Sequence, residues 1–282
     1  MSRKERFAAD WLSLREPVDH AARSARLAER LTESLSGRAH VNIVDLGAGQ
    51  GSNLRWLAPR ITIAQRWLLI DHDPELLELA LSRSRAHPPA EKLAVECRTA
   101  DLAASDFDFL DGADVVTASA LLDLVSRNWL KTLAHACRAR QCAAYFCLTV
   151  NGVWRMIDAD GNDISNDNDF FVRDAFNRHQ RRDKGLGGAL GPAATEAVPA
   201  VFSAAGYSVE ARASDWILVA NQPWTRSLAP ALMEGWRRAA LEENAPETDR
   251  IEAWFAQRLQ QLSDGQLGLE VGHVDFLALP DL

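Results

Sequence analysis

Cysteine is scarce and poorly spaced for metal or redox work. The 282 residues hold four, Cys97, Cys137, Cys142 and Cys147, and no C-x-x-C pair. That excludes a zinc-ribbon spacing and a disulfide framework, and it suits free thiols in a reducing cytoplasm. Positive charge is also short: 31 Lys and Arg stand against 39 Asp and Glu, a net charge of -8. Phosphate contacts dominate nucleic-acid affinity, so an acidic chain without a strong basic stripe is not expected to bind DNA or RNA. No apolar run is long enough to span a bilayer. The charged start, Met1 to Arg6, lacks a following apolar segment and does not read as a secretory signal.

What is present is ordinary for one globular domain: 47% hydrophobic and 25% charged residues, at a length that buries a good core. Its organising stretch is Ile43-Val44-Asp45-Leu46-Gly47-Ala48-Gly49-Gln50-Gly51-Ser52-Asn53-Leu54. A run of β-formers ends in an acid, glycines follow at alternate positions, and a helical pattern opens. The physical reading is a strand, a tight turn and a helix N-terminus. Glycine permits the positive φ such a turn needs, and the helix start offers free N–H groups to a ligand.

A dinucleotide fingerprint reads G-x-G-x-x-G. Here the third glycine comes one residue early, in Asp45-x-Gly47-x-Gly49-x-Gly51. That motif resembles the first motif of the Rossmann-like S-adenosylmethionine-dependent methyltransferases, of the small-molecule type. The resemblance implies a doubly wound α/β fold and S-adenosylmethionine as cofactor. It places Asp45 near the cofactor's methionine end, above a loop of Gly47, Gly49 and Gly51.

In chain order, Pro17 suits a first helical position, and Val18, Ala21, Ala25, Ala28, Leu31 and Leu35 recur at helical spacing until Gly37. Residues 1–40 thus read as a helical cover. The resemblance implies that such a helix lies over the cofactor, with Arg15, Asp19 and Arg23 lining the site. The run Trp67 to Ile70 ends at Asp71-His72-Asp73-Pro74. An acid about 20 residues after the glycine turn, at the end of the second strand, suits the ribose diol. Asp71 takes that role, His72 flanks the adenine, and Asp73 caps a helix over Pro74 to Ala86. Leu93 to Cys97 reads as a third strand followed by Asp101-Leu102, where the resemblance implies a hydrogen bond to the adenine amino group. Asp114 to Ser119 is a fourth strand, and the small residues around Ser119 suit a backbone close to the sulfonium. The Asn/Asp-Pro-Pro-aromatic sequence of DNA amino-methyltransferases is absent there. Ser126 caps a helix through Arg138, and Cys142 to Val150 is a fifth strand.

The pattern predicts an α/β fold with a doubly wound, mostly parallel seven-stranded sheet and helices on both faces. Asp45, Asp71 and Asp101 all fall at strand carboxyl ends, where such sheets bind ligands. Residues 151–192 are too long for a connection and read as a lid. They carry a basic helix, Phe170 to Arg182, with Arg173, Arg178, His179, Gln180, Arg181, Arg182 and then Lys184, before a glycine-rich hinge. Arg178 with Arg181 and Arg182 would hold a polar or anionic acceptor through bidentate contacts. His179 is the first candidate base and Asp123 the second. A helix pair over 222–265 should interrupt the hairpin of the sixth and seventh strands that the resemblance implies. Its aromatic stripe reads first as core, and otherwise as a surface for substrate or for a second copy in a homodimer. The functional reading is methyl transfer to a small polar or anionic metabolite by in-line displacement, in the cytoplasm, without metal. The alternatives are a non-catalytic cofactor-binding subunit and a nicotinamide-dependent oxidoreductase.

Overall fold

Strand formers concentrate where the sheet is buried on both faces, and the elements follow from that. A computed structural model describes residues 9–103, 106–183 and 185–281, so Lys184 and the first eight residues lie outside it. Helices α1 (Ala9–Ala22) and α2 (Ala25–Ser34) precede β1 (His40–Leu46), α3 (Ser52–Leu57), β2 (Ala64–Asp71), α4 (Pro74–Ala86), β3 (Leu93–Thr99) and β4 (Val115–Ser119). Then come α5 (Arg127–Arg140), β5 (Ala143–Ile157), α6 (Asp167–Gln180), α7 (Ala194–Ala204), β6 (Tyr207–Ala213) and β7 (Trp216–Leu218). The order closes with α8 (Pro223–Glu243), α9 (Thr248–Ser263) and β8 (Gly268–Pro280).

The sheet order is β3-β2-β1-β4-β5-β8-β6, with β7 also paired to β8. The first five are parallel, as alternating strands and helices require, and β8 runs antiparallel to β5. Among the described residues the count is eight strands rather than the expected seven. The difference comes from one edge: β6 and β7 lie end to end along β8, interrupted at Ser214 and Asp215. The helix pair α8–α9 accordingly enters between β7 and β8. Among the described residues no helix is long and apolar enough to cross a membrane.

The N-terminal cover is two helices, not one starting at Pro17. Pro17 sits inside α1, and the chain breaks at Arg23, where the Ser24 hydroxyl accepts from the Leu27 N–H at 3.3 Å as the N-cap of α2. The Ser24 N–H donates to Asp275 Oδ2 of β8 at 2.8 Å, and Asp275 Oδ1 accepts from Leu148 N at 2.7 Å. Leu148 has φ 56° at a bulge in β5, so one buried carboxylate serves both the helix start and the bulge. Arg55 of α3 donates to both oxygens of Glu16 at 2.7 Å and holds α1 across the glycine turn.

The inserted helix α6 is fixed from below. Asn166 and Asp169 form a capping box, and the buried Asp169 carboxylate meets the Arg258 guanidinium and accepts from the Trp254 indole N–H at 2.7 Å. Its basic face turns to α8: Arg182 bonds Glu242 at 2.9 Å and Glu243 at 2.6 Å, and Arg178 reaches Asn244 at 3.2 Å.

Candidate functional site

The turn between β1 and α3 is built from Gly47, Gly49 and Gly51, at φ 64°, 52° and 80°. L side chains avoid that region, so glycine is what lets the chain fold back over its own strand end. Asp45, 1% exposed at the end of β1, faces this turn. Its Oδ1 accepts from the Asn53 amide at 2.8 Å, and the same amide nitrogen donates to Thr117 Oγ1 at 2.9 Å. Asn53 Oδ1 accepts from Arg23 Nη1 at 2.6 Å, while Arg23 Nη2 donates to Ser119 Oγ at 2.9 Å. Asp45 Oδ2 is buried and has no partner among the described residues. Burial raises the Asp45 carboxyl to about 7, against the Asn53 hydrogen bond and the Arg23 charge, which lower it.

Asp71, at the end of β2, accepts from the Gly49 N–H at 2.8 Å and from the Asp73 N–H at 3.0 Å. It lies 3.2 Å from Nδ1 of His72 and is positioned by the glycine turn it faces. These groups line one open cleft with Gly47, Gly49, Asp101, Leu102, Ser119 and Arg23. The structure thus brings together nine of the ten expected cofactor residues. Gly51 is the exception: it packs under the turn, where a Cβ would stand 3.1 Å from that of Ala80. A buried unpaired carboxylate oxygen, a ribose-type acid and an adjacent glycine turn fit a nucleoside joined to an amino acid, as expected of S-adenosylmethionine.

A second cavity of about 580 Å³ abuts the first, and Arg15, Ala120 and Leu124 line both. That volume suits a small molecule. Ala120 holds φ 52°, an uncommon left-handed conformation for a residue with a Cβ, at the boundary between the two spaces. Trp11, Trp154, Phe176, Trp216 and Trp236 form much of the wall. Trp154 and Trp236 stack in parallel with ring centres 4.2 Å apart, and the Arg15 guanidinium lies 4.9 Å from the centre of Trp216. Arg15 is itself held by Asp19 through bonds of 2.9 and 3.1 Å.

Both candidate bases, Asp123 and His179, line this second cavity. His179 pairs with Glu242 at 3.0 Å. Arg178, Arg181 and Arg182 line neither cavity, because Arg178 and Arg182 are drawn to acids of α8 and Arg181 lies against Gly191. Reading the sequence missed Asn53, the bridge between Asp45 and Arg23, and His273, a buried histidine on β8 that lines the second cavity. The signal for Asn53 was an amide two residues after the last glycine. For His273 it was a histidine between Val271 and Asp275 in a mostly apolar strand.

Residues 43–141 match a family model described as a methyltransferase domain. No curated protein matches. Among solved structures the chain is similar to the cyclopropane synthase MmaA2 from Mycobacterium tuberculosis, with a TM-score of 0.50 and 10% identity over 97% of this chain and 94% of that one. A methyltransferase from Geobacter sulfurreducens, solved with S-adenosyl-L-homocysteine, is 16% identical over 97% of this chain and 99% of that one, with a TM-score of 0.45. The YcgJ protein of Bacillus gives a TM-score of 0.48 at 14% identity, covering 92% of this chain and 100% of that one.

Proposed function

Because residues 43–141 match a methyltransferase domain model, we propose that the protein is a Rossmann-like, S-adenosylmethionine-dependent methyltransferase that transfers a methyl group to a small polar or anionic acceptor seated in the second cavity. The observation that carries this is the shared boundary: Arg15, Ala120 and Leu124 line both spaces, so donor and acceptor meet there. Bound S-adenosylmethionine supplies an electrophilic methyl carbon on a sulfonium. We assign Asp71 to the ribose hydroxyls, His72 and Leu102 to the flanks of the adenine, and Asp101 to its amino group. Asp45, steadied by Asn53 and Arg23, takes the methionine end.

The protein's own contribution is position and dryness. In-line displacement needs the attacking atom within about 3–3.5 Å of the methyl carbon, and alignment of that kind supplies much of a rate enhancement. Leu12, Leu121, Leu124 and Leu186 line the cofactor cleft and would present apolar surface to a bound sulfonium. Arg15 and Arg238 face Asp123 and Glu242 around the second cavity, and this charged lining supports a polar acceptor. Four free thiols support a cytoplasmic setting.

The test incubates purified protein with methyl-labelled S-adenosylmethionine and, in parallel, a metabolite extract, total RNA, fragmented DNA and bulk protein. Label in a small molecule supports the proposal. Label in a macromolecule, or tight cofactor binding with no transfer to any fraction, overturns it.

A further inference from the structure

The methyl-transfer reading leaves two buried titratable groups of the second cavity, Asp123 and His273, without a task. His273 is 4% exposed on β8. Its Nδ1 lies 2.9 Å from the Val271 carbonyl oxygen. A carbonyl can only accept, so the ring proton sits on Nδ1 and Nε2 carries a lone pair. No described residue bonds that lone pair. Trp216 packs on the ring with centres 4.9 Å apart, and the Arg15 guanidinium lies over Trp216.

Two more buried groups point the same way. The indole N–H groups of Trp154 and Trp216 have no partner among the described residues, and both side chains line this cavity at 2% exposure. Buried donors left unpaired cost free energy unless a ligand meets them. The wall therefore offers flat apolar surface, unpaired donors and one unpaired acceptor. An alkyl amine, cationic at neutral pH, would meet Arg15 and find the Trp216 face already covered by that guanidinium, and a neutral aryl amine would become a full cation beside Arg15 as its nitrogen took the methyl group. A neutral hydroxyl donates to Nε2, its oxygen is stabilised by Arg15 as the proton leaves, and an attached ring fits the tryptophans.

Resting on the methyl-transfer reading, we propose that the acceptor is a hydroxyl on a flat aromatic ring and that Nε2 of His273 takes its proton. The hydroxyl oxygen forms a bond to the methyl carbon while the carbon–sulfur bond breaks and sulfur keeps the pair. As that bond forms the hydroxyl turns strongly acidic, and its proton passes to Nε2 in the same step, so no full positive charge builds on the oxygen beside Arg15. The imidazolium returns that proton to solvent once product leaves. Burial, aided by the Arg15 charge, pushes the imidazole down to about 3, so the receiving form is present throughout the physiological range. Of the other titratable groups lining the cavity, His179 pairs with Glu242, and outside it Asp215 accepts from the His273 backbone N–H at 2.9 Å. Asp123 enters from the loop after β4 and Arg238 from α8.

The experiment uses the full chain at saturating S-adenosylmethionine, with naphthol, naphthylamine and naphthalenethiol as isosteric probes and nitronaphthol as a more acidic one. Naphthol should be methylated in preference to both isosteres. The wild-type naphthol rate should stay flat between about pH 5 and 8, because the base and the acceptor are both neutral there. His273→Asn should lose at least about a hundredfold in kcat/KM on naphthol, the usual worth of a general base. Its remaining rate should climb tenfold per pH unit as the acceptor ionises, and on nitronaphthol the loss should shrink to below about tenfold. Calorimetric S-adenosylmethionine affinity should be unchanged in the variant, which reports an intact fold. Preference for the amine or thiol, or no transfer to naphthol despite cofactor binding, overturns the substrate class. A wild-type rate that climbs with pH, or an equal loss on both naphthols, overturns the base. Only failure of the wild type to bind S-adenosylmethionine counts against the underlying methyl-transfer reading instead.

Discussion

Asp169 on α6 and Arg258 on α9 form an ion pair buried to within 2% exposure, and it fastens the insertion after β5 to the insertion before β8. Each partner is further bonded: Arg258 Nη1 donates to Gln261 at 2.7 Å, and Asp169 Oδ2 accepts from the Asn166 N–H at 2.7 Å. Removing one member strands a buried charge, which costs about 3–5 kcal/mol. Asp169→Ala or Arg258→Ala should therefore shift the urea midpoint strongly downward. The double substitution Asp169→Leu with Arg258→Met should recover much of the loss. A single variant within about 1 kcal/mol of the parent would show the pair to be inert.

Asp45 sets a pH dependence. Its folded pKa is raised from 3.8 to about 7, so the folded chain holds a proton that the unfolded chain has released in that window. Stability of the ligand-free protein should thus fall as pH rises from about 4 to 7, and level off above. A cofactor ammonium group favours the ionised form, so S-adenosylmethionine affinity should rise with pH by up to about tenfold per unit below 7 and then plateau. Asp45→Asn should flatten both profiles. Calorimetry across that range checks it, and a flat wild-type profile sinks the assignment of Asp45 to the methionine end.

Asp71 holds the Gly49 N–H and is assigned here to the ribose, and its replacement should report on both. Asp71→Ala should weaken S-adenosylmethionine and S-adenosylhomocysteine by about 1.5–3 kcal/mol, the worth of hydrogen bonds to a charged group. NAD should not bind either form. The variant also frees the Gly49 N–H and loosens the turn. If affinity is indifferent to the change, the ribose is held elsewhere.

Gly152 allows the two cavities to be tested separately. It has φ 79° and lines the second cavity only, and a Cβ there would stand 2.5 Å from Pro192 Cγ. Gly152→Ala combines left-handed strain with overpacking, together about 2–4 kcal/mol of lost stability. Acceptor KM should rise while calorimetric cofactor affinity stays near the parent value. An equal change in both would mean that the two cavities do not divide the labour as described.

The cofactor half was legible in the sequence because its signals are local. Asp45 and its glycines are contiguous, Asp71 ends the next strand, and Pro74 follows an N-cap Asp73 whose side chain accepts from Glu75 N at 3.0 Å. The acceptor half was not, because its parts meet only through tertiary contacts. The arginines of α6 looked like substrate ligands until their counter-charges appeared: Glu242 and Glu243 lie about sixty residues further along the chain. The break at Ser24 was hidden by an unbroken helical periodicity, since what forces it is the distant Asp275. Trp154 read as neither strand nor wall, because β5 runs on to Ile157 through a bulge that alternation cannot reveal.

That same Asp275 contact, spanning 251 residues, has a consequence for biogenesis. Arg23, which braces Asn53 and Ser119 in the cofactor cleft, directly precedes the residue that Asp275 anchors. The cleft's roof is thus set by a strand made long after its floor. Until β8 slides between β5 and β6, a ribosome-bound chain exposes two unpaired sheet edges and leaves α2 untethered. S-adenosylmethionine cannot rescue such an intermediate, because the site it would stabilise is not yet closed. Pairing of β8 with β5 and β6 thus precedes a fully braced cleft, and the open edges until then are an aggregation hazard.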